Sequence, residues 1–231
     1  MRRIFLQALM PTACALLTSC GTVQQTHVTD TSRTFTTVVV DAGHGGKDNG
    51  ALRRYGGAEK QATLDVATRL AQKLRESQFH TVMTRSSDVF IPLDERADIS
   101  NRQKNAIFVS IHFNDSSRRG IRGFETYYHS PAARSLAYRI QQHLVTIPGS
   151  TNRGVKTANF RVLRNALYPA VLVECGFLSN RKEGAGARSA GHRDELADKI
   201  AEAIVDERYG KGTGHAPAAA SDAVATSGHA E

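Results

Sequence analysis

Three short runs, VVV at 38–40, IFVSI at 107–111 and AVLV at 170–173, are apolar at nearly every position. A strand with one wet face alternates polar and apolar residues, so strands like these need cover on both faces, as the central strands of a parallel sheet have. Between the runs lie helical patterns. From Glu59 to Ser77 the apolar residues Leu64, Ala67, Leu70, Ala71 and Leu74 recur at spacings of three and four, which predicts an amphipathic helix. Further strands are expected at TVMT (81–84) and FETYY (124–128), with helices near Leu93–Lys104, Pro131–Val145 and His192–Arg208. The alternation predicts the α/β class: a single domain with a mostly parallel, twisted β-sheet flanked by helices on both faces.

A chain of 231 residues, 40% hydrophobic and 23% charged, suits one such domain with segments to spare at its ends. The first twenty residues, MRRIFLQALMPTACALLTSC, have the composition of an export signal: Arg2 and Arg3, then a short apolar run from Ile4 to Leu17. The run ends in Leu17-Thr18-Ser19-Cys20, which resembles a bacterial lipobox whose cysteine is acylated. The expected layout is a lipoprotein signal peptide over 1–20 with Cys20 as the lipidated residue, a Thr-rich tether over 21–35, the folded domain over 36–209 and a disordered tail over 210–231. The protein is then exported and held to a membrane of the cell envelope, facing the periplasm, by a lipid anchor. Cys14 leaves with the signal and Cys20 carries lipid, so Cys175 has no intrachain partner and no disulfide framework is expected. The net charge of +8, or +6 without Arg2 and Arg3, favours an anionic partner.

The first strand runs into VVVDAGHGGKDNGA, residues 38–51. A phosphate loop is excluded, since position 41 is Asp where the P-loop needs Gly, and Lys47 is followed by Asp48 rather than Ser or Thr. The dinucleotide pattern starts at Gly43 and Gly45 but then meets Asp48. The glycines instead let the backbone turn sharply and leave His44 uncrowded. His44 lies just beyond VVVD, His112 ends AIFVSIH and Glu174 ends AVLVE, so three metal-competent or acid–base side chains sit at the carboxyl ends of the three most apolar strands. That edge is where open α/β sheets build their sites. Two imidazoles and a carboxylate suit Zn²⁺ with one position left for water. Glu59, in GGAEKQATLD, is the nearest further ligand to His44, though an acid in a first helical turn is also favoured there without any metal. Spacing does not decide between the two.

Taken in order, VVVDAGHGGKDNGA, EK opening a helix, TVMTRSSDVFIPLDERADISN, AIFVSIHFN, GFETYY and PAVLVECGFLSN resemble the zinc-dependent N-acetylmuramoyl-L-alanine amidases of bacterial cell-wall remodelling. The likeness extends over nearly all of Val38–Tyr209. It implies that His44, Glu59 and His112 bind Zn²⁺ and that Glu174 is the catalytic carboxylate. It also implies cleavage of the amide joining N-acetylmuramic acid to the L-alanine of the stem peptide, with peptidoglycan as the partner. Export removes nucleic acid from consideration, and a monomer is expected. Division-associated members of this family carry a helical insert after the second zinc histidine that covers the metal. Here only the twelve residues FNDSSRRGIRGF separate His112 from Glu125, so a short loop and an open site are expected.

Cys175 adjoins Glu174, but neighbouring strand residues face opposite sides, which puts the thiol in a packing layer. Arg85, Asp88 and Arg96 either fix loops beside the groove or form ordinary ion pairs. His80, His129, His143 and His192 fit surface or packing positions, and His27, His215 and His229 fall in the expected tether and tail. Two rival functions differ in testable features: a cell-wall cysteine peptidase using Cys175 would be inactivated by alkylation rather than chelation, and a non-catalytic peptidoglycan-binding lipoprotein would release no peptide.

Overall fold

The structure, a computed structural model, describes residues 27–118 and 120–210; Cys20, the signal segment and the tail beyond 210 lie outside the described residues. In chain order the strands are β1 (Thr37–Ala42), β2 (Leu52–Arg53), β3 (Gly57–Ala58), β4 (His80–Met83), β5 (Ala106–Asn114), β6 (Phe124–Tyr128), β7 (Asn152–Thr157) and β8 (Ala170–Phe177). The helices are α1 (Glu59–Glu76), α2 (Leu93–Asn101), α3 (Arg134–Leu144), α4 (Arg161–Arg164), α5 (Arg181–Arg188) and α6 (Ala190–Tyr209). Six strands form one sheet in the order β4-β1-β5-β8-β6-β7, and β2 and β3 make a separate small hairpin.

The strands β4, β1, β5 and β8 are parallel to one another, as expected for apolar runs buried on both sides. By contrast β6 runs antiparallel to β8, with β7 parallel to β6. Residues 115–123 are the cause: a link this short leaves the carboxyl edge of β5 and must start β6 from that same edge, because a parallel crossover needs a dozen residues or more. The sheet is therefore mostly parallel with a reversed pair at one side.

Side-chain alternation divides the core in two. Val38, Val40, Ile107, Val109, Ile111, Val171, Val173 and Cys175 pack beneath α1, α3 and α6. Val39, Phe108, Leu172 and Tyr127 face α2 and α4 with Val162 and Leu163. The helix α1 buries Ala67, Leu70, Ala71 and Leu74, the stripe expected from its periodicity. Truncating Leu70 or Leu74, both fully buried, to Ala costs about 2–5 kcal/mol by loss of transfer energy and the cavity left.

The helices expected at Leu93–Lys104, Pro131–Val145 and His192–Arg208 are present with ends shifted by a few residues. Pro131–Ala133 form a 3₁₀ turn before α3, which Ser130 caps through its hydroxyl. The boundary at Thr36 needs correction. The Thr29 amide donates to the Leu167 carbonyl at 2.8 Å, Thr31 is buried against the Ala106 carbonyl, and Phe35 is fully buried and stacks on Phe79 with ring centroids 5.4 Å apart. The end of the expected tether is thus part of the fold, its Phe35 hidden in the sequence by the threonines around it. Among the described residues no helix is long and apolar enough to cross a membrane.

Candidate metal centre

The carboxyl end of β1 opens into the turn 43–50, and two buried arginines set its shape. Arg85 donates from Nε to the Ala42 carbonyl (2.9 Å) and from Nη2 to the carbonyls of Gly43 and Lys60 (2.8 Å each). Arg96 donates to the carbonyls of Ala42 (2.6 Å) and His44 (2.7 Å) and pairs with Asp41 (2.8 Å). Three successive carbonyls are held in this way, which lets His44 stay at φ 60°, a left-handed conformation uncommon for a non-glycine residue. Asp88 completes the brace: it accepts from the Gly46 amide at 2.7 Å and pairs with Lys60 at 2.9 Å. The three residues of the segment 85–96 whose role was open in the sequence therefore shape this turn.

Gly43 has a use beyond turning the chain. A Cβ there would stand 2.4 Å from Cε1 of His112, so its absence admits a ring delivered by β5. At Gly50 a Cβ would stand 2.6 Å from Cδ2 of His44, so the glycines leave His44 uncrowded as expected and also admit side chains from other elements.

Glu59, His44 and His112 converge. Glu59 Oε1 lies 3.1 Å from His44 Nε2 and 3.1 Å from His112 Nδ1, and one donor atom from each residue lies within 4.8 Å of the others. The imidazoles meet edge to face with centroids 4.9 Å apart. The carboxylate is fixed by backbone amides, Phe113 to Oε1 (3.0 Å) and Ala51 to Oε2 (2.9 Å). Its partners hold it ionised: burial pushes the Glu59 carboxyl up, but hydrogen bonds and charge from His112 and His44 bring it well below the usual range. For His44, burial opposes the charged ring, and Glu59 and Asp48 outweigh it, raising its pKa to about 9. The centre is built to hold positive charge.

Asp48 was not singled out in the sequence beyond its place in failed phosphate motifs. Its Oδ2 lies 2.7 Å from His44 Nδ1, and its Oδ1 accepts from the Gly50 amide at 2.9 Å. By engaging Nδ1 it fixes the ring with Nε2 towards Glu59, the arrangement by which carboxylates orient metal-binding histidines. The signal available was spacing, an Asp four residues after the His on a glycine-rich turn.

Glu174 stands beside His112 in register across β8 and β5, on the same face of the sheet. Its Oε2 is enclosed without a hydrogen-bond partner among the described residues. Burial, then the charges of Glu59 and Glu125, push its carboxyl well above the usual range, so it binds a proton far more readily than an ordinary glutamate. Glu125 on β6 is its register partner on the other side and is 2% exposed, a polar residue that the strand pattern FETYY did not flag. Cys175 is 1% exposed in the opposite core layer, and burial first, then Glu174 and Glu59, push its thiol well above the usual value. A thiol that is buried and kept protonated is a poor nucleophile.

Fold and site together define the class: a single α/β domain with a His–Glu–His cluster and a proton-binding carboxylate at the carboxyl edge of parallel strands. Residues 38–206 match the family model described as N-acetylmuramoyl-L-alanine amidase. The chain is 38% identical over 173 residues to the N-acetylmuramoyl-L-alanine amidase LytC of Bacillus subtilis, covering 73% of this chain and 35% of that protein. The solved structure of the amidase AmiC2 of Nostoc punctiforme superposes with a TM-score of 0.71 at 36% identity, over 74% of this chain and 95% of the other. An N-acetylmuramoyl-L-alanine amidase from Clostridium difficile 630 gives 0.73 at 33% identity, over 77% and 99%. The chain belongs to the N-acetylmuramoyl-L-alanine amidase family. It spans about a third of LytC but nearly all of these two solved chains.

Proposed function

We propose that the protein hydrolyses the amide between N-acetylmuramic acid and the L-alanine of the peptidoglycan stem peptide. The observation that carries this reading is the convergence of His44, Glu59 and His112 beside Glu174 in a chain of this family. The donor set fits Zn²⁺. Donors bound at about 2.0–2.1 Å in a tetrahedron stand roughly 3.3 Å apart, and the separations of 3.1 Å from Glu59 to each imidazole nitrogen are close to that. Bound by these three residues, zinc would acidify a water molecule and polarise the amide carbonyl.

The remaining chemistry belongs to the chain. Glu174 takes a proton from the attacking water and delivers it to the amide nitrogen as the carbon–nitrogen bond breaks, acting as base and then as acid. Its enclosed Oε2 has no other hydrogen-bond partner among the described residues and so is free for the transfer, and its raised proton affinity favours the delivery half. Asp48 keeps the His44 ring oriented, and the amides of Phe113 and Ala51 keep the Glu59 carboxylate in place. The products are a glycan bearing a free lactyl carboxylate and a peptide with L-alanine at its amino terminus. Export, acylation of Cys20 and attachment to an envelope membrane complete the reading, and they rest on residues 1–20 alone.

Mass spectrometry of purified peptidoglycan incubated with the protein tests the reaction. Stem peptides with an alanine amino terminus are expected, lost with chelator and restored by zinc. Release that survives chelation but stops on thiol alkylation would overturn the reading in favour of Cys175, and binding without release would leave only a wall-binding role.

A further inference from the structure

His112 on β5, Glu174 on β8 and Glu125 on β6 are register partners across three adjacent strands and form a row on one face. The row continues onto β7, where Lys156 pairs in register with Tyr127, two residues after Glu125 on the same face. Glu125 Oε1 accepts from Arg153 Nε at 2.6 Å and Lys156 Nζ at 2.7 Å. Its Oε2 accepts from Asn114 Nδ2 at 2.9 Å and the Tyr127 hydroxyl at 2.8 Å. The carboxylate is fully engaged and the cations are not. No described residue accepts a hydrogen bond from the terminal amino groups of Arg153, whose guanidinium lies 5.1 Å over the Phe177 ring. The side chains of Arg153 and Lys156 keep 33% and 29% of their surface exposed. Two cations against one carboxylate leave a positive charge facing solvent, anchored at one end and open at the other.

Strands in a sheet lie about 4.8 Å apart, so β7, two strands from β8, runs about 10 Å from Glu174, the length of roughly three residues of extended peptide. A substrate with its scissile amide at Glu174 can therefore lay a carboxyl group borne by the next residues of its peptide against these cations. We propose that Arg153 and Lys156 form a carboxylate-binding subsite for the peptide side of the substrate, and that Glu125 is the positioning residue that holds the pair. The inference rests on the amidase reading. A guanidinium with its planar fork free is suited to two parallel hydrogen bonds with a carboxylate, and the lysine adds a point charge beside it.

The test compares two synthetic muramoyl peptides that differ only in whether the carboxyl groups beyond the alanine are free or amidated. The zinc-loaded wild type should show a KM about tenfold lower for the free form, the scale expected of one charge-assisted contact. The double variant Arg153→Gln/Lys156→Gln should lose that preference, its KM values for the two substrates becoming equal, while Lys156→Arg should retain the preference. Calorimetry with the free acidic peptide, which needs no turnover, should show the same loss of affinity in the double variant. Equal KM for both substrates in the wild type overturns the subsite while leaving the amidase reading intact; cleavage of neither overturns both. A double variant that loses kcat equally on both substrates with a lowered Tm, while Lys156→Gln alone leaves the preference untouched, would show a purely structural role.

Discussion

Asp48 and Glu174 separate two kinds of importance at the site. Asp48 holds the far side of the His44 ring and accepts from the Gly50 amide, a bond that Asn can keep, so Asp48→Asn should keep the fold and weaken zinc affinity by about 10- to 100-fold, as loss of such orienting carboxylates does. Metal titration against a competing chelator would measure it, and unchanged affinity would remove Asp48 from the centre. Glu174→Gln should retain zinc and lose turnover by about 10²–10⁴-fold, since the proposed ligands stay while the proton carrier goes. His112→Ala should do the reverse, losing metal first. A zinc-free Glu174→Gln beside a zinc-replete His112→Ala would reverse the roles. The three proposed ligands and Glu174 could be named in advance because His44, His112 and Glu174 follow or close apolar runs and Glu59 opens a helix, with the family resemblance choosing among them; β5 and β8 in fact run on past His112 and Glu174. Asp48 was not legible, although its partner His44 is only four residues away, because spacing does not show which ring nitrogen it engages; Glu125 was not, because Arg153 and Lys156 lie on a strand that only folding brings near.

Arg96 and Asp41 show how α2 and β1 are locked together. Asp41 is 1% exposed and takes hydrogen bonds from Arg96, Thr84 (2.6 Å) and Ser110 (2.6 Å). Burial alone would raise its pKa, but Arg96 above all, with both hydroxyls, holds it below the usual range. A carboxyl depressed on folding adds stability that is present above its unfolded pKa of about 3.9 and is lost as pH falls through the lower folded value. Asp41→Asn should therefore destabilise the domain by about 3–5 kcal/mol near neutrality, the cost of breaking a buried pair. Urea unfolding should show the gap between variant and wild type shrinking below about pH 4; a gap that does not change with pH would mean that Asp41 does not act through its charge. Among the elements, α1 was legible from its apolar periodicity, and helices were expected where α2, α3 and α6 lie. The short pieces β2, β3, α4 and α5 were not, since two to eight residues carry too little repeat to show a period. The edge strand β7, NRGVKT, is mostly polar and half exposed, and its identity comes from pairing with β6.

The described chain enters the domain at the edge of the sheet opposite the site. Thr36 and Thr29 donate to the carbonyls of Asn105 and Leu167, which precede β5 and β8, and Arg208 near the end of α6 returns to the Phe35 carbonyl at 2.8 Å. The centre lies at the other, carboxyl edge. If Cys20 carries the proposed lipid, Cys20→Ser should yield a protein that leaves the membrane fraction yet remains active, since the site lies at the opposite edge from the start of the described chain. Unchanged membrane retention would refute the lipid anchor. Residues 115–123 contain no helix among those described, so the purified zinc-loaded domain should also act on peptidoglycan without a partner. Silence until another protein is added would place its restraint elsewhere in the molecule.

The sequence alone determined the α/β class, the order of the main elements and which histidines and acids stand near the carboxyl ends of the strands. Buried strands, amphipathic helices and glycine turns are local patterns, and each residue's neighbours encode them. Long-range contacts decided the rest: the reversal of β6 and β7, the docking of Phe35, the arginine brace behind His44 and the row from His112 through Glu174 to Lys156. These depend on which strands become neighbours, and that follows from burying the whole core at once rather than from any one segment.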